Sequence, residues 1–375
     1  MTDDHAHALR VSAALAIPGA ALIVVGRPEL LVYAVFGSFA GMYGRAYGGR
    51  VRSVQQARGA LLLVAGVTVG VTLAHLEASP AVLVATEVVF AAVASLWADR
   101  WRLRPAGPFF PIFGLGATAL VPPAIASPQA GIGLCAVTAL LAIGLGRVGS
   151  GGLPGEFTTP RVSHRAVVIH ASRYALAVGG AGGCAVAFGF ANPNWAMAAA
   201  AVPLAAIDVG RAEGWEMRSV LVRAGHRIAG TYAGLAVTAA ILPMHLAPGV
   251  MAAVTMAFLF PTELFMTRNY AIAIGFFTPL IMLMTQLGAP MDPVEMLVMR
   301  GLDTLIGVAA GVVVAGVIRR RNPRIASSSA RVAAPLGPVG EERPMSRRRA
   351  GPETEVPGPG ARSVGRDHAI SHTTP

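Results

Sequence analysis

Residues 294–318 read VEMLVMRGLDTLIGVAAGVVVAGVI, and within this run only Glu295, Arg300 and Asp303 carry charge. A helix of about 20 mostly apolar residues spans the hydrocarbon core of a bilayer. The run is therefore long enough to cross a membrane. Charged groups inside a bilayer are costly and are often functional, so its arginine and aspartate indicate more than an anchor.

Similar apolar runs recur along the whole chain. We predict an all-α, polytopic membrane protein of about twelve transmembrane helices, at 11–26, 30–46, 59–76, 80–97, 108–124, 131–148, 172–191, 194–210, 228–245, 247–262, 270–287 and 294–318. The composition agrees, because 54% of the 375 residues are hydrophobic and only 13% are charged, against about 25% charged residues in soluble domains. These values exclude an ordinary soluble enzyme, a disordered protein and a disulfide scaffold.

The basic residues indicate the orientation in the membrane. All 30 are arginines, which excludes a P-loop lysine and a lysine Schiff base. They concentrate after every second predicted span, whereas the other loops hold only Arg27 as a clear exception. The positive-inside rule then places both termini and the central connection in the cytoplasm. Because arginine is the only basic residue beside many alanines, glycines and prolines, we expect a bacterial inner membrane. A basic chain can bind nucleic acid, but membrane orientation explains this pattern, so we expect no nucleic-acid partner.

The two halves share landmarks at an offset of 166 to 170 residues, which predicts two parallel six-helix repeats. The matched pairs are Gly44 to Ala46 with Gly210 to Ala212, Arg58 with Arg227, His75 with His245, Arg100 with Arg268, and Phe109-Phe110 with Phe276-Phe277. Chance matching in apolar sequence is the alternative. The predicted divisions are a cytoplasmic N-terminus (1–9), a first repeat (10–148), a cytoplasmic linker (149–171), a second repeat (172–318) and a disordered basic cytoplasmic tail (319–375).

An ordered series of short motifs marks the second half. It consists of NPNW at 192–195, HRIAGT at 226–231, RNYA at 268–271, FTP at 277–279 and RGLDT at 300–304. This series resembles the fusaric-acid-resistance-like (FUSC) membrane domain of the aromatic acid exporter superfamily, which includes the plant aluminium-activated malate transporters. The resemblance covers about residues 165–320. The first half lacks an equivalent of the Arg300–Thr304 motif.

The resemblance implies a secondary transporter that exports small organic anions, especially aromatic carboxylates. We expect the substrate path to be lined by Arg300, Asp303, Thr304, Tyr270, Thr231 and Thr278. In this hypothesis the arginine attracts the anion and the aspartate holds or gates it. The alternative is an ion pair that satisfies itself near the interface.

Three further charged residues are predicted to contribute. Glu87 lies in the middle of the fourth span and is a candidate for proton coupling, because a buried carboxyl group tends to hold a proton. A hydrogen bond to Thr86 or to a neighbouring helix is the alternative. Arg227 and Arg268 are candidates for a cytoplasmic vestibule that concentrates anions, or else they anchor helix ends at the interface.

Other readings of the sequence stay open. A passive organic-anion channel would need no proton gradient, and a membrane scaffold would act through its basic tail. No catalytic or zinc-binding motif is visible, so we expect neither enzymatic activity nor a cofactor. One chain could suffice as the transporting unit, although a homodimer is compatible with the sequence. Glycine pairs four residues apart, such as Gly307 and Gly311, predict close helix packing.

Overall fold

The computed structural model describes residues 3–148, 163–190, 192–207 and 216–321, and these residues form helices and connecting turns without a strand. The α-helices are α1 (Asp3–Val24), α2 (Leu31–Ser38), α3 (Gly49–His75), α4 (Pro80–Arg100), α5 (Phe109–Ala119), α6 (Pro128–Gly146), α7 (His164–Ala187), α8 (Asn194–Leu204), α9 (Met217–Ile241), α10 (Pro248–Ala257), α11 (Leu259–Phe265), α12 (Tyr270–Gly288) and α13 (Pro293–Arg321). Short 3₁₀ helices flank α2 and extend α9. The predicted all-α class is confirmed. Residues 149–162 of the predicted linker and the tail beyond residue 321 lie outside the described residues.

Eight of the described helical segments are long and apolar enough to cross a membrane, fewer than the twelve spans predicted. Two apolar segments, Pro28–Met42 and Phe109–Ala119, fall short of that length. At 1.5 Å per residue an 11-residue helix such as α5 or α8 is only about 16 Å long, roughly half the thickness of a bilayer core. Prolines at or next to their ends, such as Pro108, Pro193 and Pro203, accompany these short helices.

Several long helices begin well before their apolar stretches. Helix α1 begins at Asp3, α3 at Gly49, α7 at His164 and α9 at Met217. The spans predicted from the apolar pattern begin later, at residues 11, 59, 172 and 228. Arginines that the sequence assigned to loops, including Arg52 and Arg223, therefore lie on helices. The difference arises because arginine and glutamine are good helix formers that hydropathy does not register.

Glycines let four pairs of helices approach closely. A Cβ added at Gly307 would lie 2.1 Å from the carbonyl oxygen of Ala196, and one at Gly66 would lie 2.5 Å from that of Pro111. A Cβ added at Gly230 would lie 2.4 Å from the carbonyl oxygen of Ala271, and one at Gly37 would lie 2.4 Å from that of Cys135. These contacts join α13 to α8, α3 to α5, α9 to α12 and α2 to α6, as small residues do in membrane helices.

The helices of the first and second halves pack in matching ways. Helix α3 packs on α5 and α6, and α9 packs on α12 and α13. Helix α2 packs on α6, and α8 packs on α13. The first helix of each half also crosses to the other half, since α1 lies against α10 and α11 while α7 lies against α4. Between the halves, α2 lies against α12 and α5 lies against α8.

Candidate anion site

A cavity of about 710 Å³ opens at the end of the molecule where α1, α9 and α12 begin. This volume suits a small-molecule ligand. Its wall carries five arginines from separate segments: Arg10, Arg45, Arg52, Arg104 and Arg223. Aromatic side chains line the inner part: Phe109, Phe110, Tyr270 and Phe277. The cavity therefore combines positive charge with aromatic surface.

Phenylalanines close the inner end of this cavity. We call Phe39, Phe109, Phe110, Phe113 and Phe277 the phenylalanine cluster. The Phe277 ring centroid lies 6.0 to 6.3 Å from those of the other four, and Phe109 stacks on Phe113 at 5.9 Å with ring planes 8° apart. These rings come from α5, α12 and the turn after α2, so they fill the space between the two halves.

Two buried arginines lie behind the cluster. Arg227 of α9 and Arg300 of α13 are both fully buried, and none of their guanidinium nitrogens has a partner at hydrogen-bond geometry among the described residues, although Arg227 lies close enough to the Tyr270 side chain to interact with it. Their like charges are close enough to repel each other. A buried charge without a hydrogen-bonding partner is costly. This arrangement provides donors for an anion in the interior of the protein.

Aromatic rings partly stabilise both guanidinium groups. Arg227 lies 4.9 Å from the ring centroid of Phe109. Arg300 lies 5.6 Å from Phe113 and 5.4 Å from Trp195 of α8. Cation–π contacts of this kind favour a guanidinium group by about 0.5–2 kcal/mol, less than the cost of full burial. The stacked pair Phe109 and Phe113 thus connects the two arginines, and it also connects them to the cavity.

Asp303 lies three residues after Arg300 on the same helix and is fully buried. The two charges attract each other, but both carboxylate oxygens lack a hydrogen-bond partner among the described residues. The two side chains therefore attract each other without a hydrogen bond between them.

The three predicted threonines differ in how free their hydroxyl groups are. Thr304 donates to the carbonyl oxygen of Arg300 at 2.8 Å, and Thr278 donates to that of Ile274 at 2.9 Å. Such bonds to the preceding turn are common for helical threonines. The buried hydroxyl of Thr231 has no partner among the described residues. It is the threonine of this set with a hydroxyl proton to offer to a ligand.

Tyr270 lies on the cavity wall and stands at the first position of α12. The side chain of Asn269 caps this helix by accepting hydrogen bonds from the amides of Ala271 and Ile272. The guanidinium group of Arg223 lies 3.9 Å from the Tyr270 ring centroid. Arg223 was not predicted as a site residue, although it lies one helical turn before Arg227, a spacing that places both on one face.

The remaining predicted residues lie elsewhere. Glu87 is fully buried on α4, with neither oxygen hydrogen-bonded among the described residues, and it does not line the cavity. Arg268 is partly exposed and pairs with Asp4. Thus, of the predicted site residues, Tyr270 alone lines the cavity, while Arg300, Asp303 and Arg227 are buried in the interior behind it and Glu87 is buried on α4.

Two residues of the α8 start were quoted in the sequence but not assigned to the site. Trp195 contacts Arg300, and the buried amide of Asn194 has no hydrogen-bond partner for either atom among the described residues. Asn194 also faces Gly116 of α5, where a Cβ would come within 2.4 Å of the Asn194 Cβ. The polar Asn-Pro-Asn-Trp sequence at the start of an apolar run was the available signal.

Comparison with known proteins gives one match. A family model described as fusaric acid resistance protein-like matches residues 175–314, which run from α7 to α13 and include Arg227, Arg300 and Trp195. The comparisons with curated proteins and with solved structures gave no match. The apolar helices and this match identify a multi-pass membrane protein. Over residues 175–314 the chain is therefore similar to fusaric acid resistance-like proteins, which is the resemblance that the sequence motifs predicted.

Proposed function

We propose that this protein is a secondary transporter that exports small organic anions, with aromatic carboxylates as the favoured class. The observation that carries the proposal is the pair of buried arginines, Arg227 and Arg300, whose guanidinium nitrogens make no hydrogen bond within the part of the chain that the structure describes. A carboxylate between them would accept charge-assisted hydrogen bonds. The rings of Phe109, Phe113 and Trp195 offer apolar surface for an aromatic body beside it.

The arginines that line the cavity support an orientation of the protein in the membrane. Arg10, Arg45, Arg52, Arg104 and Arg223 surround the cavity mouth, and an excess of arginine is typical of the cytoplasmic side. The cavity would then open to the cytoplasm of a bacterial cell. The phenylalanine cluster would close the route outward, and in this proposal the protein would be in an inward-open state of an exporter.

The matched helix packing supports two six-helix repeats as the transport unit. In this scheme α10 and α11 count as one segment, and α1 to α6 correspond in order to α7 to α13. The contacts of α2 with α12 and of α5 with α8 would then lie at the interface between the repeats. Substrate sites of repeat transporters lie at such interfaces, often on short or broken helices.

Proton coupling is the further element of the proposal. The carboxyl group of Glu87 is buried on α4 and makes no hydrogen bond to any residue that the structure describes, and intramembrane carboxyl groups commonly relay protons in transporters. Its separation from the cavity implies that protons and anions follow different routes. A passive channel would instead conduct anions without regard to the state of Glu87.

Flux into proteoliposomes tests the proposal. Benzoate and aliphatic carboxylates would be supplied under an imposed pH gradient to the wild type, Arg300→Gln and Arg227→Gln. Losing one charged hydrogen bond should weaken anion binding about 10- to 150-fold. Arg218→Gln, an exposed change on the same helix as Arg227, is the matched control. Proton-independent flux that follows voltage would favour the channel, and folded wild-type protein without carboxylate flux would refute the proposal.

A further inference from the structure

A carboxylate of the chain itself is already bound between two arginines at the cavity mouth. One oxygen of Asp4, in the first turn of α1, lies 2.5 Å from an Nη atom of Arg45. Its other oxygen lies 2.9 Å from both Nε and Nη2 of Arg268. Arg45 lies in the turn after α2 and Arg268 in the turn before α12. The two guanidinium groups thus come from different halves of the chain and converge on one carboxylate.

The position of this carboxylate is accessible from solvent. The side chains of Asp4 and Arg268 keep 34% and 42% of their surface exposed, and that of Arg45 keeps 19%. Asp4 and Arg45 both line the cavity. An anion that approaches the cavity from this end therefore meets two arginines whose carboxylate position is taken by Asp4.

We propose that Arg45 and Arg268 form an outer carboxylate site for the transported anion, and that Asp4 occupies this site as a built-in competitor. The inference rests on the proposed function, in which the cavity accepts organic anions. A substrate carboxylate would replace that of Asp4 between the two guanidinium groups before it moves inward. Exposed ion pairs contribute little net stability, so free carboxylates can compete with this contact.

Arg45 does not depend on Asp4 alone for its position. Its guanidinium group also donates a hydrogen bond to the carbonyl oxygen of Glu263 at 3.2 Å. The backbone of Arg268 is held separately, because its amide donates to the carbonyl oxygen of Phe265 at 3.0 Å. The guanidinium group of Arg45 and the backbone of Arg268 can therefore stay in place when the carboxylate between the two side chains is exchanged.

Helix α1 does not depend on Asp4 either. One turn later, His7 lies 3.4 Å from the buried carboxylate of Glu263. Ala8 and Val11 are buried in the helix packing just beyond it. The first turn of α1 can thus release Asp4 while the rest of the helix remains anchored.

Asp4→Asn tests the inference, because it removes the charge and keeps the size of the side chain. We expect the benzoate concentration for half-maximal flux to fall about two- to fivefold, the factor that corresponds to an exposed ion pair. The maximal rate should stay unchanged. Arg268→Gln should raise the half-maximal concentration. Asp3→Asn removes a neighbouring charge without breaking either ion pair, so it measures the general electrostatic effect of a negative group at the mouth.

Two outcomes would overturn the inference while the wild type still transports. One is a half-maximal concentration in Asp4→Asn that equals the wild-type value. The other is an equal decrease in Asp4→Asn and Asp3→Asn, which would assign the effect to general electrostatics.

Amide hydrogen exchange separates this inference from the proposed function. Benzoate added to the full-length protein should speed exchange in the first turn of α1 in the wild type, and not in Arg268→Gln. That result without any flux would refute transport and keep the outer carboxylate site. Unchanged exchange in the wild type would refute the site, whatever the flux.

Discussion

Replacing Gly307 with alanine should push α8 away from α13 and disturb the buried arginine site. The added Cβ would lie 2.1 Å from the carbonyl oxygen of Ala196, 2.7 Å from the Cβ of Ala199 and 2.9 Å from the amide nitrogen of Ala200. Two of these three contacts are with backbone atoms, which no rotamer change can move. To restore a normal C···O separation of about 3.3 Å, α8 must retreat by about 1 Å.

The cost can be measured against a matched glycine on the same helix. A Cβ at Gly316 would meet only the flexible methyl end of Met217, at 3.5 Å. Both substitutions gain the same helix propensity, about 1 kcal/mol, so this gain cancels in the comparison. The remaining difference is overpacking, which typically costs 1–3 kcal/mol. We expect Gly307→Ala to be less stable than Gly316→Ala by about that amount.

The two variants can be compared by thermal unfolding in detergent and by benzoate flux. The retreat of α8 carries Trp195 away from Arg300, so transport should fall in Gly307→Ala and persist in Gly316→Ala. Equal unfolding midpoints and equal flux in the two variants would refute the reasoning, because they would show that α8 and α13 are not in close contact at Gly307.

Two further predictions concern coupling and the closed inner end of the cavity. Glu87→Gln keeps the shape of a buried side chain and removes its titratable proton, so downhill exchange should continue while accumulation driven by a pH gradient is lost. Accumulation that persists in a pH-jump uptake assay would contradict the coupling role. Phe277→Ala removes the ring that contacts four others of the phenylalanine cluster, and it should lower the unfolding midpoint and allow an anion leak. Phe276→Ala, on the same helix but facing Phe258 and Phe265, should not leak; equal leak rates in liposomes would argue against the cluster as a seal.

The sequence identified the class of fold and the most unusual residues. Apolar runs predicted an all-α membrane protein, and the rarity of charge within them drew attention to Arg300, Asp303 and Glu87. The structure finds all three fully buried. A charged residue in an apolar run can be recognised from the sequence alone, because the free-energy cost of burying its charge depends mainly on its depth in the bilayer.

Other features depend on contacts that hydropathy does not contain. Helices α2, α5 and α8 are shorter than the spans predicted for them. An average of hydropathy along the sequence counts the apolar turns on either side of each helix as part of the span. The contact of Arg300 with Trp195 requires α13 to pack on α8, and that of Arg227 with Phe109 requires α9 to lie beside α5. Residues such as Arg223 were missed because their partners lie far away in the chain.

The exchange of first helices between the halves has a consequence for how the chain assembles. Helix α1 is synthesised before α10 and α11, so its contacts with them cannot form until about 220 more residues have been synthesised. At about 5–20 residues per second this interval lasts roughly 10–45 s. During that interval Asp4 in the first turn of α1 has no Arg268 with which to pair. The docking of α1 onto α10 and α11, which joins the two halves of the protein, is therefore a late step in biogenesis.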